Sequence, residues 1–425
     1  MFDKDRWQEI FIAIKQNKLR SALTAFGVFW GILMLVVMSG SSNGLVNGIT
    51  HGMRSFATNS AFIWTDVTNK PYKGFQQGRR WNFTNEDVEM IKEQIPEIDV
   101  VAPRLRGWRS SSGHNVHRGT NSGTFNINGD YPEYNRIDPS EMIYGRFINQ
   151  IDINNRRKVC IIGERVYEVL FDEGENPIGE YIKAGGLYYQ VIGVFKPTNP
   201  NIQMDGNKSE NIYIPFSTMQ RVYNYGNTVH YMGITVKDGY DVGDVTERVM
   251  SLIKRNNFIA PDDDAMGHVN VQELVRSMNY MFIGISVLIW IVGIGTLIAG
   301  AVGISNIMLV VVRERTKEIG IQRAIGARPR TIVSQILTES VFLTTIAGFL
   351  GLAFGTLVIH FADLFITHIN SQRPPDEFIF IRDPQVGLGI ALAALVMLVV
   401  TGLIAGFIPA RKAVRVKPID AIRHE

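Results

Sequence analysis

Few residues in this sequence could do chemistry, and their spacing argues against most of it. His114 and His117 offer two nitrogen ligands for a metal. They sit in a Ser/Gly/Asn-rich stretch around 109–123 with no third ligand nearby, so the pair reads as part of a solvated loop. Asp262-Asp-Asp264 supplies carboxylate oxygens without the spaced Asp-x-Asn-x-Asp-Gly pattern of a calcium loop. The single cysteine, Cys160, lies in the apolar run 159–162, which excludes an intrachain disulfide or a cysteine-based metal site and reads as a small buried hydrophobe. The sequence has no Gly-x-Ser-x-Gly elbow and no Gly-x-x-x-x-Gly-Lys-[Ser/Thr] phosphate loop. The expectation is a non-catalytic chain that binds no metal or cofactor itself and has no nucleic-acid partner.

Charge is more informative. With 43 Lys+Arg against 40 Asp+Glu the net balance says little, but the basic residues gather in short blocks beside apolar runs. The densest block, 313–330, carries Arg313, Arg315, Lys317, Arg323, Arg328 and Arg330 against Glu314 and Glu318. It must lie just outside a membrane, because four stretches free of Asp, Glu, Lys and Arg, roughly 22–45, 284–312, 340–362 and 386–410, are each long enough to cross a hydrocarbon core. The first run is too long for a signal-peptide core. Basic blocks at 1–20, 313–330 and 409–425 place both termini in the cytoplasm and the region from about 50 to 276 outside. Trp7, Ile10, Phe11 and Ile14 follow helical spacing, so residues 1–20 read as an amphipathic interfacial helix.

The expected order is therefore an interfacial helix over 1–20, a span over 21–48, and an extracytoplasmic α+β domain over 49–276 with an insert near 125–210. Spans over 277–312, 331–362 and 386–410 follow, separated by the charged segment 313–330 and an outer loop 363–385, with a tail over 411–425. Apolar periodicity at Val271, Leu274, Val275, Met278, Met281 and Ile285 extends the second span into a stalk. A helix from 271 to 312 is roughly 60 Å long against a core of about 30 Å. The stalk seam suits packing against a second copy or against the outer domain. Small residues recur at helical spacing in every span: Gly27/Gly31, Gly295/Ala299/Gly303, Gly351/Gly355 and Gly402/Gly406. Such rows let helices approach closely within a bundle or across a dimer. Absence of charge inside the spans argues against an ion-coupled path.

Three motifs resemble the MacB/FtsX-like permeases of ABC transporters. They are 17–27 (Asn-Lys-Leu-Arg-Ser-Ala-Leu-Thr-Ala-Phe-Gly), 313–327 (Arg-Glu-Arg-Thr-Lys-Glu-Ile-Gly, then Arg-Ala-Ile-Gly-Ala) and Pro409-Ala-Arg-Lys-Ala413 with Lys417-Pro-Ile-Asp-Ala-Ile-Arg423. The outer-domain stretches at 144–147, 159–163, 177–179 and 191–194 resemble the same family. The resemblance implies an inner-membrane dimer, of two copies or of paralogues, clamped by two cytoplasmic ATPase subunits that carry ATP and Mg²⁺. A periplasmic adaptor and an outer-membrane exit duct are further implied partners beside the lipid bilayer. Segment 313–330 is then the coupling helix, with Arg313, Glu314, Thr316, Glu318, Ile319, Gly320, Arg323, Ala324, Gly326 and Ala327 as docking residues. Because the first span begins only about twenty residues into the chain, the ATPase is expected on a separate polypeptide. The family includes efflux, lipoprotein-release and wall-hydrolase-activating permeases. An outer domain of about 225 residues favours MacB-like efflux over the FtsX-like activator.

Overall fold

The computed structural model describes residues 18–53, 56–107, 114–198, 207–372 and 379–415. Most of the expected interfacial helix and the motif 417–423 lie outside these residues. The chain divides into two compact units: Met1–Ile49 with Tyr280–Arg373 and Ile379–Glu425, and Thr50–Asn279 with Pro374–Phe378.

Among the described residues, four helices are long and apolar enough to cross a membrane: α1 (Lys18–Met53), α4 (Val271–Glu314), α6 (Pro329–Ser371) and α7 (Leu388–Val414). Helices α2 (Asn85–Gln94) and α3 (Val242–Asn256) belong to the outer domain, and α5 (Thr316–Ala324) lies between α4 and α6. Helix α6 continues to Ser371, nine residues past the expected end of the third span at 362, which shortens the loop that follows.

Glycine sets how closely the spans pack. The Cβ that Gly27 lacks would sit 3.3 Å from the Gly300 Cα, and one on Gly31 would come 3.2 Å from the Thr296 hydroxyl oxygen and 3.4 Å from Leu297. Both members of the Gly27/Gly31 pair therefore face α4 of the same chain rather than a second copy, and Gly31 is buried there. A Cβ on Gly351 would come 2.5 Å from the Phe29 carbonyl oxygen and one on Gly355 2.8 Å from Val36, which places α6 against α1. Gly402 and Gly406 meet Thr344 and Ser340, closing α7 onto α6.

The row Gly295/Ala299/Gly303 on α4, expected to pack within the bundle or across a dimer, stays largely open within the chain. Gly295 has nothing within 4 Å of its missing Cβ, Ala299 is exposed, and Gly303 is only half-buried, so this row is not the one that meets α1. Gly293 and Gly300 are the close-approach positions instead, with Leu297, Ala301, Ile304, Met308 and Val312 on the same buried seam. Counting small residues finds the spacing but not which of two overlapping rows faces the neighbour.

In the outer domain, period-two alternation sends residues to opposite faces of one sheet. Strands β1 (Ser60–Thr65), β3 (Ile98–Arg106) and β12 (Tyr231–Val236) pair antiparallel, and β13 (Met266–Asn270) pairs with β1. Ala61, Ile63, Val101, Leu105, Met232 and Ile234 join one core with Val88 and Ile91 of α2 and Val245, Val249 and Ile253 of α3. Phe62, Val100, Ala102 and Tyr231 join a second core with Tyr134, Ile137 and Val271. A two-residue ribbon, β2 (Phe83–Thr84) with β11 (Thr228–Val229), leads into α2, whose first turn Thr84 and Asp87 close with a capping box.

The insert is a closed ring of strands. β4 (His114–Arg118) pairs with β5 (Asn121–Asp130), β5 with β10 (Asn211–Pro215), and β10 with β7 (Val159–Gly163). β7 pairs with β9 (Leu187–Pro197), β9 with β8 (Tyr181–Ala184), and β8 returns to β4, while β6 (Ser140–Gly145) pairs with β9. Closure leaves the ring without a free edge. The stretch around 109–123 is therefore not simply a loop. Residues 114–118 form a hairpin strand in which Val116 is buried between exposed Asn115 and His117, and Gly119 takes a positive φ of 58° at the turn. With one apolar residue, such a strand has no readable alternation.

Candidate functional site

The candidate ligands and nucleophile of the outer domain do not converge on one site among the described residues. His114 and His117 are three apart on β4, so their positions fall on opposite sides of the strand. Asp263 is buried and its carboxylate accepts the Asn69 and Lys70 backbone N–H groups at 3.0 Å, while Asp262 pairs with Lys70 at 2.6 Å. These acids clamp a loop. Burial in β7 pushes the Cys160 thiol well above its ordinary range, so it stays protonated. Among the described residues, no group of three or more His, Cys, Asp or Glu is placed to hold a metal.

The charged segment has a definite build. Helix α4 ends at Glu314, Arg315 breaks the helical path, and the Thr316 hydroxyl donates to the Val312 carbonyl at 3.1 Å. Helix α5 stops in a Schellman arrangement. Gly326, at φ 106°, donates to the Arg323 carbonyl at 3.1 Å, and Ala327 donates to the Gln322 carbonyl at 3.0 Å. A side chain at 326 would be strained there, which accounts for the glycine in Ala-Ile-Gly-Ala. Pro329 then opens α6 at a position where its missing N–H costs nothing.

The expected docking residues divide into two sets. Ile319 is 8% exposed and belongs to the buried cluster of the helical unit with Val312, Ile332 and Ala413, and Gly320 is buried beside it. Ile319 therefore faces the bundle and does not share an outward face with Ala324. Arg315 pairs with Glu339 of α6 at 3.1 Å, and Arg323 donates to the Val414 carbonyl at the end of α7 at 2.5 Å. These two arginines fix α5 to its own bundle. The outward face consists of Arg313, Glu314, Glu318, Ala324 and Gly326 from the expected set, together with Lys317, Ile321, Gln322 and Ile325, while Thr316 and Ala327 are half-buried. Ile325 is 82% exposed and stands one turn beyond Ile321, giving two isoleucines ringed by charge on one side of the helix.

Sequence reasoning missed Ile321, Ile325 and Glu339. Glu339 carried a signal: it is an acid directly at the edge of an apolar span, where an unpaired charge is costly.

The stalk residues divide as well. Val271 is buried in the outer domain and Val275 packs beside it. Gln272 accepts the Val242 N–H at 3.0 Å, and Arg276 pairs with Asp241 at 3.2 Å, so the first turn of α4 is fixed to the outer domain. Leu274 and Met281 are exposed and Met278 and Ile285 half-buried, so the expected single seam is two faces.

Residues 21–252 match the MacB-like periplasmic core domain family, and residues 279–418 match the FtsX-like permease C-terminal family. A macrolide export ATP-binding/permease protein MacB from Bdellovibrio bacteriovorus is 30% identical over 418 residues, 98% of this chain and 61% of that protein. A pyoverdine export ATP-binding/permease protein PvdT from Pseudomonas entomophila is 27% identical over 99% of this chain and 59% of its own length. The chain thus spans about three fifths of these relatives. Among solved structures, the periplasmic region of MacB from Actinobacillus actinomycetemcomitans is 18% identical, covers 53% of this chain and 95% of its own, with a TM-score of 0.43. The two family matches together account for the outer domain and the later spans, and the chain belongs to the MacB/FtsX-like permeases of ABC transporters.

Proposed function

We propose that this chain is the permease part of an exporter in which a cytoplasmic ABC ATPase, carried outside these 425 residues, docks on the outward face of α5. ATP-driven movement there is carried by α4 to the outer domain. That domain, on the periplasmic side of the inner membrane with both termini cytoplasmic, changes shape and drives its cargo out by mechanotransmission. The observation that carries the reading is the unbroken 44-residue helix α4. Its first turn is fixed to the outer domain through Val271, Gln272 and Arg276, and its last turn leads within two residues into α5. At 1.5 Å per residue it is about 66 Å long, roughly twice a hydrocarbon core. Relatives named for macrolide and pyoverdine export support an export role. No Asp, Glu, Lys or Arg lies within 284–312, 340–362 or 386–410, which fits a machine that moves cargo outside the bilayer.

The protein acts as a dimer with two ATPases, and a periplasmic adaptor and outer-membrane duct complete the path. The test is Ile325→Asp in the full chain, assayed for complex formation with a candidate ABC ATPase from the same genome and for stimulated ATP hydrolysis. Loss of complex with an unchanged melting temperature supports the docking face. Retention of complex and stimulation refutes it.

A further inference from the structure

A cleft of about 680 Å³ opens in the outer domain between β1, β12, β13 and the segment before β2. Its walls are aromatic: Phe62 and Tyr231 form the floor, and Trp64 and Trp81 form the sides. Trp64 is 39% exposed, a large apolar surface to leave in water.

Both indoles are held in place. The Trp81 ring N–H donates to the Asp66 carbonyl at 2.9 Å and the ring stands edge-on to Phe83 at 5.3 Å. Trp64 lies directly over Gly267, where any added Cβ would overlap the indole, so the glycine makes room for the ring. The cationic side is built as well. The Arg106 guanidinium stacks 4.4 Å from the Tyr231 ring centre, and its backbone N–H donates to Nδ1 of His230 at 3.0 Å, which in the neutral ring leaves the proton on Nε2. Arg80 is exposed at the rim. The one acid lining the cleft, Asp66, has its carboxylate turned to the Val67 backbone N–H at 2.7 Å. The cleft thus combines rigid flat apolar walls with two guanidinium groups, and its volume suits a small molecule.

We infer that this cleft binds a planar aromatic molecule carrying a carboxylate, sulfonate or phosphate, with the ring system against Trp64 and Trp81 and the acid toward Arg80 and Arg106. Indole faces held in advance lower the ordering cost of binding, and a guanidinium fork matches an oxyanion in two contacts. The inference is about binding and stands independently of the ATPase docking face.

The experiment is calorimetric titration of the full chain in phosphatidylcholine nanodiscs with naphthalene-2-sulfonate, with empty nanodiscs as the blank. Comparators are uncharged 2-naphthol and the cation 2-naphthyltrimethylammonium. Saturable binding of the sulfonate is expected, weakened about tenfold by Trp64→Ala or by Arg80→Ala, with the cation at least tenfold weaker. Arg80 is exposed, so Arg80→Ala decides the matter if Trp64→Ala disturbs folding. Absence of saturable binding, binding unchanged by Arg80→Ala, or equal affinity for the cation overturns the inference.

Discussion

Arg315 and Glu339 form an ion pair at 3.1 Å, although 24 positions separate them in the chain. Arg315 is the residue at which α4 gives way to α5, and Glu339 is buried in α6. The pair therefore ties the start of α5 to the third span and fixes the direction in which α5 leaves α4.

Glu339→Ala leaves the half-buried Arg315 guanidinium without its carboxylate, a loss of about 1–2 kcal/mol, below that for a fully buried partner. The expected result is a lower melting temperature in nanodiscs and weaker coupling of ATP hydrolysis. Exchanging the charges, Arg315→Glu with Glu339→Arg, is expected to recover part of both.

Ile319→Ala and Ile325→Ala separate fold from docking. Removing a buried isoleucine costs about 2 kcal/mol or more, so Ile319→Ala lowers the melting temperature of the isolated protein. Ile325→Ala leaves it within about 0.5 kcal/mol of wild type and weakens only ATPase association. Equal thermal shifts for the two variants would contradict the buried and exposed assignments.

Gly351→Val and Gly295→Ala distinguish glycines that meet a neighbour from those that do not. A side chain at 351 collides with the Phe29 backbone and separates α6 from α1, with an expected loss of more than about 2 kcal/mol. Gly295 has open space where its Cβ would stand, so alanine is expected to leave stability of the isolated chain unchanged or slightly raised. Thermal unfolding of both variants in one lipid composition reads the contrast.

His230 gives the outer domain a pH dependence. Burial, followed by the nearby Arg106 charge, lowers its pKa below the ordinary 6.5. Below that value the unfolded chain binds the proton more readily than the folded one, so the contribution is fully present above about pH 6.5 and is lost as pH falls through the lower folded value. Outer-domain unfolding followed by near-ultraviolet circular dichroism is expected to show stability weakening as pH falls below about 6.5, with the slope reduced in His230→Gln. An unchanged slope in the variant assigns the dependence to other groups.

Much of this protein is legible in one dimension. The four spans follow from the length of uncharged runs, because a hydrocarbon core has a fixed thickness and a fixed intolerance of charge. The pattern around 271–285 places a helix end in the outer domain, and the motif 313–327 carries the family resemblance. β4 is hidden because one apolar residue in five makes no pattern, and the ring it closes depends on pairing with residues more than sixty positions away.

The order of amino acids alone thus settles an inventory: which segments are helices of membrane length, where charge gathers, and which family these motifs belong to. Which side of each helix is used was settled only by packing. Gly295, Ala299 and Gly303 repeat at the same interval as the glycines that do meet a neighbour, yet α1 packs on Gly293 and Gly300. Ile319 and Ile325 are the same residue type in one short segment, and only packing with α6 and α7 makes the first a core residue and leaves the second in the open. Period and composition record that a face exists, but the neighbour that covers it comes from distant parts of the chain, and so the choice between faces is made only when the bundle closes.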